Sequence, residues 1–514
     1  MYDQRMKDFK RFLHKNILLF VVFVTGAAVL ILEVTATRTL SSYFGSTIYT
    51  VSSVISVILL ALSVGYYVGG RLADAKGSLM LFYGIIAMSG FSVFILQILN
   101  TIVSPAIAYS FSLRDGPLVL AMMLFFLPSV LLGMLSPIVA KLQKQREVKG
   151  GIGRVTGDVF FWSTLGSILG SLGTGFILIP SFGVDQIIIG VGLVLVVMGL
   201  GGISINRKDY TMMIGIVCLI GFIIALQITI AYFQKTTRSH AILYSKDSIY
   251  EKHTVYDSVY EGKPARFFRQ DIDASSAMYL HSPELVYDYT KYYKVYTLSK
   301  STISNALIIG AGAYSIPKAL LADDKKVIVD VVDIEPALYE IGKQYFKVPN
   351  DSRLVNNIED GRRFLHDTDK KYDLIFGDAF HFSIPPHLTT TEFFQLTKDK
   401  LAPEGMFVMN VIGSLAPTKP SFVFSEMHTF KKIFPNSYFF ATRSTNSNDL
   451  QNIVLVGYNS ENKLDFKKAA SSKDPILQSL AQKHIDEKTI NFDQYHIFTD
   501  NYAPVEYYIS KNFN

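Results

Sequence analysis

The chain has 514 residues, of which 49% are hydrophobic and 18% charged, and its mean hydropathy is +0.28. Charge is unevenly distributed, because residues 1–235 carry a net charge of +8 and residues 236–514 one of −2. Apolar runs of about 20 residues, which can cross a bilayer core, recur in the first part and exclude a wholly soluble globular protein. The single cysteine, Cys218, excludes an intrachain disulfide and a cysteine-based zinc site.

Residues 1–235 are predicted to form a multi-span α-helical membrane domain of about seven helices. The basic residues here lie at the N-terminus and in short loops, a distribution that the positive-inside rule explains better than nucleic-acid binding does. No small-residue cleavage site follows the first apolar run, which is therefore predicted to be a retained helix. The candidate spans are residues 17–32, 48–68, 79–99, 118–140, 159–179, 187–203 and 212–233.

The pattern changes after residue 236. Residues 236–300 are predicted to form a small β-rich region, with strands at 241–243, 254–260 and 266–268. Residues 301–514 alternate between strand-like and helix-like runs, which predicts a Rossmann-like α/β domain with a doubly wound parallel sheet. Its predicted strands are 306–309, 327–332, 374–376, 406–411, 437–441 and 452–457, and its predicted helices are 316–321, 336–345 and 391–401.

Two neighbouring motifs indicate a nucleotide site. Gly310 and Gly312 follow an apolar strand and precede a helix, so the chain can turn tightly and a ligand can lie against its backbone. Ser315 occupies the place of the third glycine of the dinucleotide fingerprint. About twenty residues further on, Asp333 and Ile334 end the next strand, where a carboxylate can bind both ribose hydroxyls. The alternative for Asp333 is an exposed capping residue.

Two further acids follow strands in the same domain. Asp360 and Gly361 lie between an extended segment and a helix, where the carboxylate can cap the helix or accept a hydrogen bond from an adenine amino group. Asp378 ends an apolar strand at the carboxyl edge of the sheet, where open α/β sheets bind ligands. It could hold or deprotonate an attacking amine, or only cap a turn.

The four motifs, in this order, resemble the spermidine/spermine synthase (polyamine aminopropyltransferase) family, a branch of the AdoMet-dependent methyltransferase fold. The whole chain resembles the membrane-fused members of that family. The resemblance extends to residues 276–278, 286–290 and 500–506. It implies a membrane-bound transferase that moves an aminopropyl group from decarboxylated AdoMet to an amine such as putrescine, with no metal.

The resemblance also implies roles for individual residues. Asp378 would be the catalytic residue, orienting or deprotonating the acceptor amine, and would also contact the donor. The implied donor-binding residues are Gly310, Gly312, Asp333, Ile334, Asp360 and Gly361. The implied acceptor-site residues are Tyr287, Tyr289, His381 and Pro385, with Leu388 and Phe393 shaping the adjoining gate.

Three departures from the family pattern leave the donor and the transferred group open. Ala313 replaces an Asp that is expected to hold the aminopropyl ammonium, His381 replaces a second Asp, and Ser275 replaces a Gln. The donor is therefore either decarboxylated AdoMet or AdoMet. Alternative functions are transfer of a methyl or other group to a membrane-associated acceptor, and a non-catalytic, nucleotide-sensing transporter-like protein. Neither a metal site nor a nucleic-acid partner is expected.

The expected location is the cell membrane, with the lipid bilayer as a partner and the catalytic domain in the cytoplasm, where the donor is made. Seven spans starting inside would place residues 236–514 outside, so the predicted count conflicts with the predicted location. The stretches 100–113 and 166–175 are the places where a span is expected to be extra or incomplete. Association into a homo-oligomer is left open.

Overall fold

The computed structural model describes residues 2–112, 114–146, 151–207, 221, 242–248, 250–271, 273–300, 302–379, 384–461 and 464–510. The chain divides into two compact units, Met1–Ser239 and His240–Asn514. Within the first unit, α3 packs against α9, α1 against α7, and α2 against α5. Its helices are α1 (Tyr2–Phe44), α2 (Ile48–Lys76), α3 (Leu79–Ile102), α4 (Ser104–Ile107), α5 (Gly116–Gly133), α6 (Leu135–Arg146), α7 (Ile152–Gly173), α8 (Ile179–Ser181) and α9 (Val184–Arg207).

Six helical segments in the described part of the chain are long and apolar enough to cross a membrane. They coincide with the first six predicted spans, and the predicted span 212–233 lies outside the described residues. After the end of α3 at Ile102, the described residues up to 112 form α4 and a 3₁₀ turn, Ala108–Ser110, which are too short to cross a bilayer. The glycine-rich stretch 166–175 belongs to one continuous segment, because α7 passes directly into a π-helical turn, Thr174–Leu178.

Glycines set how closely two of these helices approach each other. Gly166 and Gly170 on α7 face the backbone of Phe23 and Ala27 on α1, and a methyl group added at Gly170 would lie 2.7 Å from the Ala27 carbonyl oxygen. Ser167 donates a hydrogen bond of 3.0 Å to the carbonyl oxygen of Gly26 across the same interface. Small residues at this spacing allow the close backbone packing typical of helices in lipid.

The second unit begins with a four-stranded antiparallel sheet in the order β1-β2-β3-β4. The strands are β1 (Ile242–Asp247), β2 (Lys252–Tyr260), β3 (Lys263–Gln270) and β4 (Asp273–Tyr279). The sequence predicts the first three but not β4. That strand consists largely of Ala and Ser, which lack the branched and aromatic side chains typical of strands, and it is held by its pairing with β3.

A seven-stranded sheet follows, in the order β10-β11-β9-β8-β5-β6-β7. Its strands are β5 (Asn305–Ile309), β6 (Ile328–Asp333), β7 (Leu354–Ile358), β8 (Tyr372–Gly377), β9 (Leu401–Gly413), β10 (Ser437–Ala441) and β11 (Gln451–Tyr458). The accompanying helices are α10 (Ser315–Asp323), α11 (Leu338–Phe346), α12 (Gly361–Asp367), α13 (Thr391–Asp399), α14 (Phe422–Ile433), α15 (Phe466–Ala470), α16 (Pro475–Lys483) and α17 (Val505–Ser510).

The predicted α/β fold is confirmed, but the prediction of a wholly parallel sheet is wrong for the last two strands. Strands β7, β6, β5, β8 and β9 are parallel, whereas β11 runs antiparallel to β9 and to β10. Only residues 442–450 connect β10 to β11, and a parallel pair needs a crossover of about a dozen residues or more. A short connection therefore gives a hairpin.

The order of the parallel strands determines where a ligand can bind. From β5 the chain moves outward through β6 and β7, and it then returns to the other side of β5 with β8. At such a switch point the loops after β5 and β8 leave in different directions and open a crevice at the carboxyl ends of the strands. Gly310 and Asp378 are the residues that directly follow these two strands.

One carboxyl group lies in the core of this unit, away from the crevice. Glu426 on α14 is fully buried, and among the described residues neither of its oxygens has a hydrogen-bond partner. Burial raises the pKa of Glu426 well above its usual value, because the charged form is poorly solvated in an apolar interior. The carboxyl is therefore protonated in the folded chain while the unfolded chain ionises it.

This difference predicts a pH-dependent effect of Glu426→Gln. Folding takes up a proton at Glu426 above the unfolded pKa, so its contribution to stability is present at acidic pH and is lost as the pH rises towards the folded pKa. The loss is about 1.4 kcal/mol per pH unit. We expect Glu426→Gln to raise the melting temperature at pH 8 more than at pH 5, measured by calorimetry on the solubilised chain. An equal shift at both pH values would contradict the prediction.

Candidate active site

A cavity of about 470 Å³ opens at the carboxyl ends of β5, β6 and β8. Its volume lies in the range typical of small-molecule sites. Among the predicted site residues, those that line it are Tyr287, Tyr289, Gly310, Gly312, Asp333, Ile334, Asp360, Gly361, Asp378, Pro385 and Leu388. The predicted gate residue Phe393 is instead buried in the core, where its ring packs against Phe394 and Phe407. His381 lies outside the described residues.

The loop after β5 follows the floor of the cavity in a conformation that requires glycine. Gly310 has φ +95° and Gly312 has φ +47°, both in the left-handed region. The backbone N–H of Gly310 donates to the carbonyl oxygen of Val332, 2.9 Å away. A methyl group added at Gly310 would lie 2.5 Å from the carbonyl oxygen of Asp378. The loops after β5 and β8 therefore touch through backbone atoms.

The close contact at Gly310 predicts a strongly destabilising substitution. We expect Gly310→Ala to lower the free energy of unfolding by about 3 kcal/mol, because the methyl group adds a backbone clash to the cost of left-handed geometry. Gly262 is the matched control, since its φ is +78° but nothing lies within 4 Å of an added methyl group. Gly262→Ala should cost only about 1 kcal/mol. Equal losses in denaturant unfolding would mean that the contact with Asp378 contributes nothing.

Asp333, at the end of β6, holds the glycine loop that follows β5. One of its carboxylate oxygens accepts a hydrogen bond from the backbone N–H of Ala311 (2.8 Å), and the other accepts from the backbone N–H of Glu335 (2.9 Å). Charged acceptors make strong hydrogen bonds with backbone donors. The carboxylate therefore has a defined orientation at the end of β6 and lines the cavity.

Asp360 is the N-cap of α12 and also lines the cavity. One oxygen accepts from the backbone N–H groups of Arg362 (3.1 Å) and Arg363 (3.0 Å), and the other lies 3.0 Å from Nε2 of His387. The hydrogen bond from His387 is the largest effect lowering the pKa of Asp360. The sequence analysis did not single out His387, because the two residues are 27 positions apart and share no local motif.

Asp378 lines the cavity and is held by residues of two strands, β5 and β9, and of the 3₁₀ helix Asp288–Leu298. Its backbone N–H donates to the carbonyl oxygen of Ile309 (2.7 Å). Its carboxylate accepts from the hydroxyl of Tyr289 (3.2 Å) and from the side-chain amide of Asn410 (3.1 Å), and Asn452 donates in turn to Asn410 (2.9 Å). Asn410 and Asn452 were missed in the sequence, although each interrupts or flanks an otherwise apolar strand.

Three tyrosines form a row that ends at Asp378. The rings of Tyr289 and Tyr287 are stacked with centroids 6.1 Å apart, and the ring of Tyr260 meets that of Tyr287 edge-on at 5.8 Å. Burial raises the pKa of Tyr289 well above its usual value, and the neighbouring Asp378 raises it further. The phenol therefore stays protonated and donates its hydrogen bond to the carboxylate. The row gives the cavity one aromatic wall.

A second, polar surface lies next to the glycine loop. The backbone N–H of Ala313 donates to the hydroxyl of Ser276 (2.9 Å), so the loop is held by β4. The hydroxyl of Ser275 is buried, lines the cavity and has no hydrogen-bond partner among the described residues. A buried hydroxyl without a hydrogen-bond partner lowers the stability of the fold unless a ligand supplies that partner. Ser275 is therefore placed to meet a polar group of a bound molecule.

Fold and site together define an α/β transferase domain of the AdoMet-dependent methyltransferase type, with its cavity at the switch point of the sheet. Residues 293–468 match the spermine/spermidine synthase domain, and the C-terminal part of the chain therefore carries a domain of that family.

Known proteins resemble parts of the chain. A polyamine aminopropyltransferase from Vibrio vulnificus is 27% identical over 208 residues, which cover 38% of this chain and 67% of that protein. An eEF1A lysine and N-terminal methyltransferase from Bos taurus is 28% identical over 118 residues, which cover 21% of this chain and 17% of that protein. The crystal structure of a probable spermidine synthase from Corynebacterium glutamicum aligns with 52% of this chain and 99% of its own, with 17% identity and a TM-score of 0.41.

Proposed function

We propose that the chain is a membrane-bound aminopropyltransferase that uses decarboxylated AdoMet and a small amine acceptor. The observation that carries the proposal is the position of Asp378, whose carboxylate is fixed by Tyr289 and Asn410 where the glycine loop meets the row of tyrosines. One ligand can lie along the glycine loop and another along the tyrosines. Asp378 then lies between the two.

The donor would lie across the carboxyl ends of β5, β6 and β7. We propose that Gly310 and Gly312 leave room for the nucleotide next to the backbone, and that Asp333 accepts hydrogen bonds from the ribose hydroxyls. Asp360 would accept from the adenine amino group while it still caps α12, with Ile334 on the donor side of the cavity and Pro385 on the acceptor side. The many carboxylates of the lining also favour a cationic sulfonium.

The acceptor amine would enter along Tyr287 and Tyr289 and reach the carboxylate of Asp378. Its nitrogen lone pair attacks the propyl carbon bound to sulfur, a C–N bond forms and the C–S bond breaks. The electron pair stays on sulfur, which leaves as the neutral thioether of methylthioadenosine. Asp378 holds the amine in line with the C–S bond and accepts the proton that the nitrogen loses.

A second candidate function keeps the same site but uses AdoMet, which retains its carboxylate. Ala313 offers no carboxylate for the ammonium of an aminopropyl group, and the buried hydroxyl of Ser275 can donate to a carboxylate. In this case the chain would transfer a methyl or another group. The two candidates differ in which donor binds more tightly.

Calorimetric titration of the full, solubilised chain with decarboxylated AdoMet, AdoMet and methylthioadenosine tests the proposal. Tighter binding of decarboxylated AdoMet than of AdoMet supports aminopropyl transfer, and the reverse order supports the second candidate. If none of the three nucleotides binds, both transferase functions fail.

We also propose that the six helical segments span the cell membrane and that the catalytic unit faces the cytoplasm. The six segments of the described residues would return the chain to the side of its basic N-terminus, which the positive-inside rule places in the cytoplasm. The proposed orientation therefore requires that the predicted span 212–233 does not cross the membrane as a seventh helix. Reporter fusions after residue 510 test this. Activity of a reporter that works only outside the cytoplasm would contradict the orientation.

A further inference from the structure

An arginine lines the acceptor channel, the part of the cavity next to the tyrosine row Tyr260, Tyr287 and Tyr289. Arg443 and Thr442 follow β10 and line the cavity on the side of Tyr260 and Tyr287. Burial is the main effect that raises the pKa of Tyr260; the carboxylates of Glu261 and Asp288 raise it further, and the cations of Arg443 and Lys291 oppose the rise. The tyrosine row therefore runs from Asp378 to Tyr260, the phenol whose surroundings include the guanidinium of Arg443.

The backbone at Arg443 is held in a defined place. The side-chain oxygen of Gln451 accepts from the backbone N–H of Arg443 (2.9 Å) and of Ser444 (3.1 Å). The amide nitrogen of Gln451 donates to the carbonyl oxygen of Ser444 (2.7 Å), and Lys483 donates to that of Arg443. These bonds fix the start of the loop between β10 and β11, so the arginine extends from a fixed point.

The guanidinium has no acidic partner within the described part of the chain. Asp288 also lines the cavity, and its carboxylate pairs with Lys291 at 2.9 Å. The side chain of Arg443 is exposed at the cavity mouth. An arginine that is free of carboxylates can bind a planar carboxylate or a phosphate through two parallel hydrogen bonds.

We propose that the acceptor is an amine that carries an anionic group, a carboxylate or a phosphate, at the end remote from the reacting nitrogen, and that Arg443 binds this group. The proposal rests on the aminopropyltransferase function proposed above. A linear diamine would present one ammonium to Asp378 and the other to the guanidinium, and like charges repel. An amine with an anionic end meets an opposite charge at both ends of the channel.

Isosteric acceptors test the proposal directly. Putrescine and 4-aminobutyrate have the same chain length and differ in whether the far end is cationic or anionic, and 3-aminopropyl phosphate supplies the phosphate. Binding of each is measured by calorimetry to the chain saturated with methylthioadenosine, and turnover is measured with decarboxylated AdoMet. We expect one of the two anionic amines to bind about 5-fold more tightly than putrescine, the upper end of what an exposed charge pair contributes.

Variants assign the preference to Arg443. Arg443→Gln should raise KM for the preferred anionic amine about 2- to 5-fold with little change in kcat, and Arg443→Glu should shift the preference to putrescine. The matched control is Lys343→Gln, because Lys343 is a basic residue that pairs with Glu340 outside the cavity lining. That substitution should leave the preference for an anionic amine in place.

Two outcomes would overturn the proposal, and they are distinguishable. Turnover that favours putrescine and is unchanged in Arg443→Gln overturns the anionic acceptor and leaves the aminopropyltransferase function intact. Donor binding without product from any of the three amines overturns the transferase function and the acceptor class together. The preferred anionic amine, whether the carboxylate or the phosphate, identifies which anion the site recognises.

Discussion

Replacing Asp378 with Asn is expected to lower kcat by about 100- to 10,000-fold, the range typical of removing a general base. The substitution keeps the shape of the side chain, and the amide oxygen can still accept the hydrogen bond from Tyr289. An amide cannot, however, accept the proton that the amine loses. Donor affinity should change little, because the glycine loop and Asp333 are untouched. Release of methylthioadenosine measures kcat, and calorimetry measures donor binding.

Asp373 supplies the matched control for this prediction. Asp373 lies near the amino end of β8, whereas Asp378 follows the carboxyl end of the same strand. Asp373 pairs with Lys300 at 2.7 Å and does not line the cavity. Asp373→Asn should reduce stability and leave kcat unchanged for the folded fraction. If Asp378→Asn retained full turnover, the proposed proton acceptor would be wrong. If it lost donor binding as severely as turnover, Asp378 would act in donor binding instead.

Replacing Asp333 with Asn is expected to weaken donor binding about 10- to 100-fold, the range for losing hydrogen bonds to a charged group. The neutral amide cannot accept from the ribose hydroxyls as strongly, and it also loosens the backbone N–H of Ala311 in the glycine loop. Calorimetric titration with decarboxylated AdoMet gives the change in Kd.

The control on the same strand is Asp330, which pairs with Lys370 and Tyr372 and is absent from the cavity lining. Asp330→Asn should lower the melting temperature without changing the donor Kd. If the donor Kd were the same for Asp333→Asn and the unsubstituted chain, the proposed hydrogen bond between the ribose and Asp333 would be wrong.

The donor side of the cavity could be predicted from the sequence because its residues sit in local patterns. Gly310 and Asp378 each follow an apolar strand and Asp333 ends one, and parallel strands bring their carboxyl ends to one edge of the sheet. The acceptor side has no such pattern. Asn410 and Arg443 come close to Asp378 and Tyr260 only because β9 and the β10–β11 hairpin complete the sheet beside β8.

The errors in the predicted fold also have physical reasons. β4 was missed because strand propensity is low in a run of Ala and Ser, and pairing with β3 supplies its stability instead. The last two strands were predicted as parallel because hydrophobic runs do not report strand direction, which the length of the connection decides. In the first unit, the lengths of the apolar runs located the six described helical segments, because a helix needs about 20 apolar residues to cross a bilayer.

The most direct test is product analysis by mass spectrometry. The full, solubilised chain and its Asp378→Asn variant are each incubated with an amine acceptor and either decarboxylated AdoMet or AdoMet. We expect the unsubstituted chain to convert decarboxylated AdoMet to methylthioadenosine and to produce an equal amount of acceptor enlarged by an aminopropyl group. A methylated acceptor formed from AdoMet, or no change in any acceptor while the nucleotide binds, would contradict aminopropyl transfer.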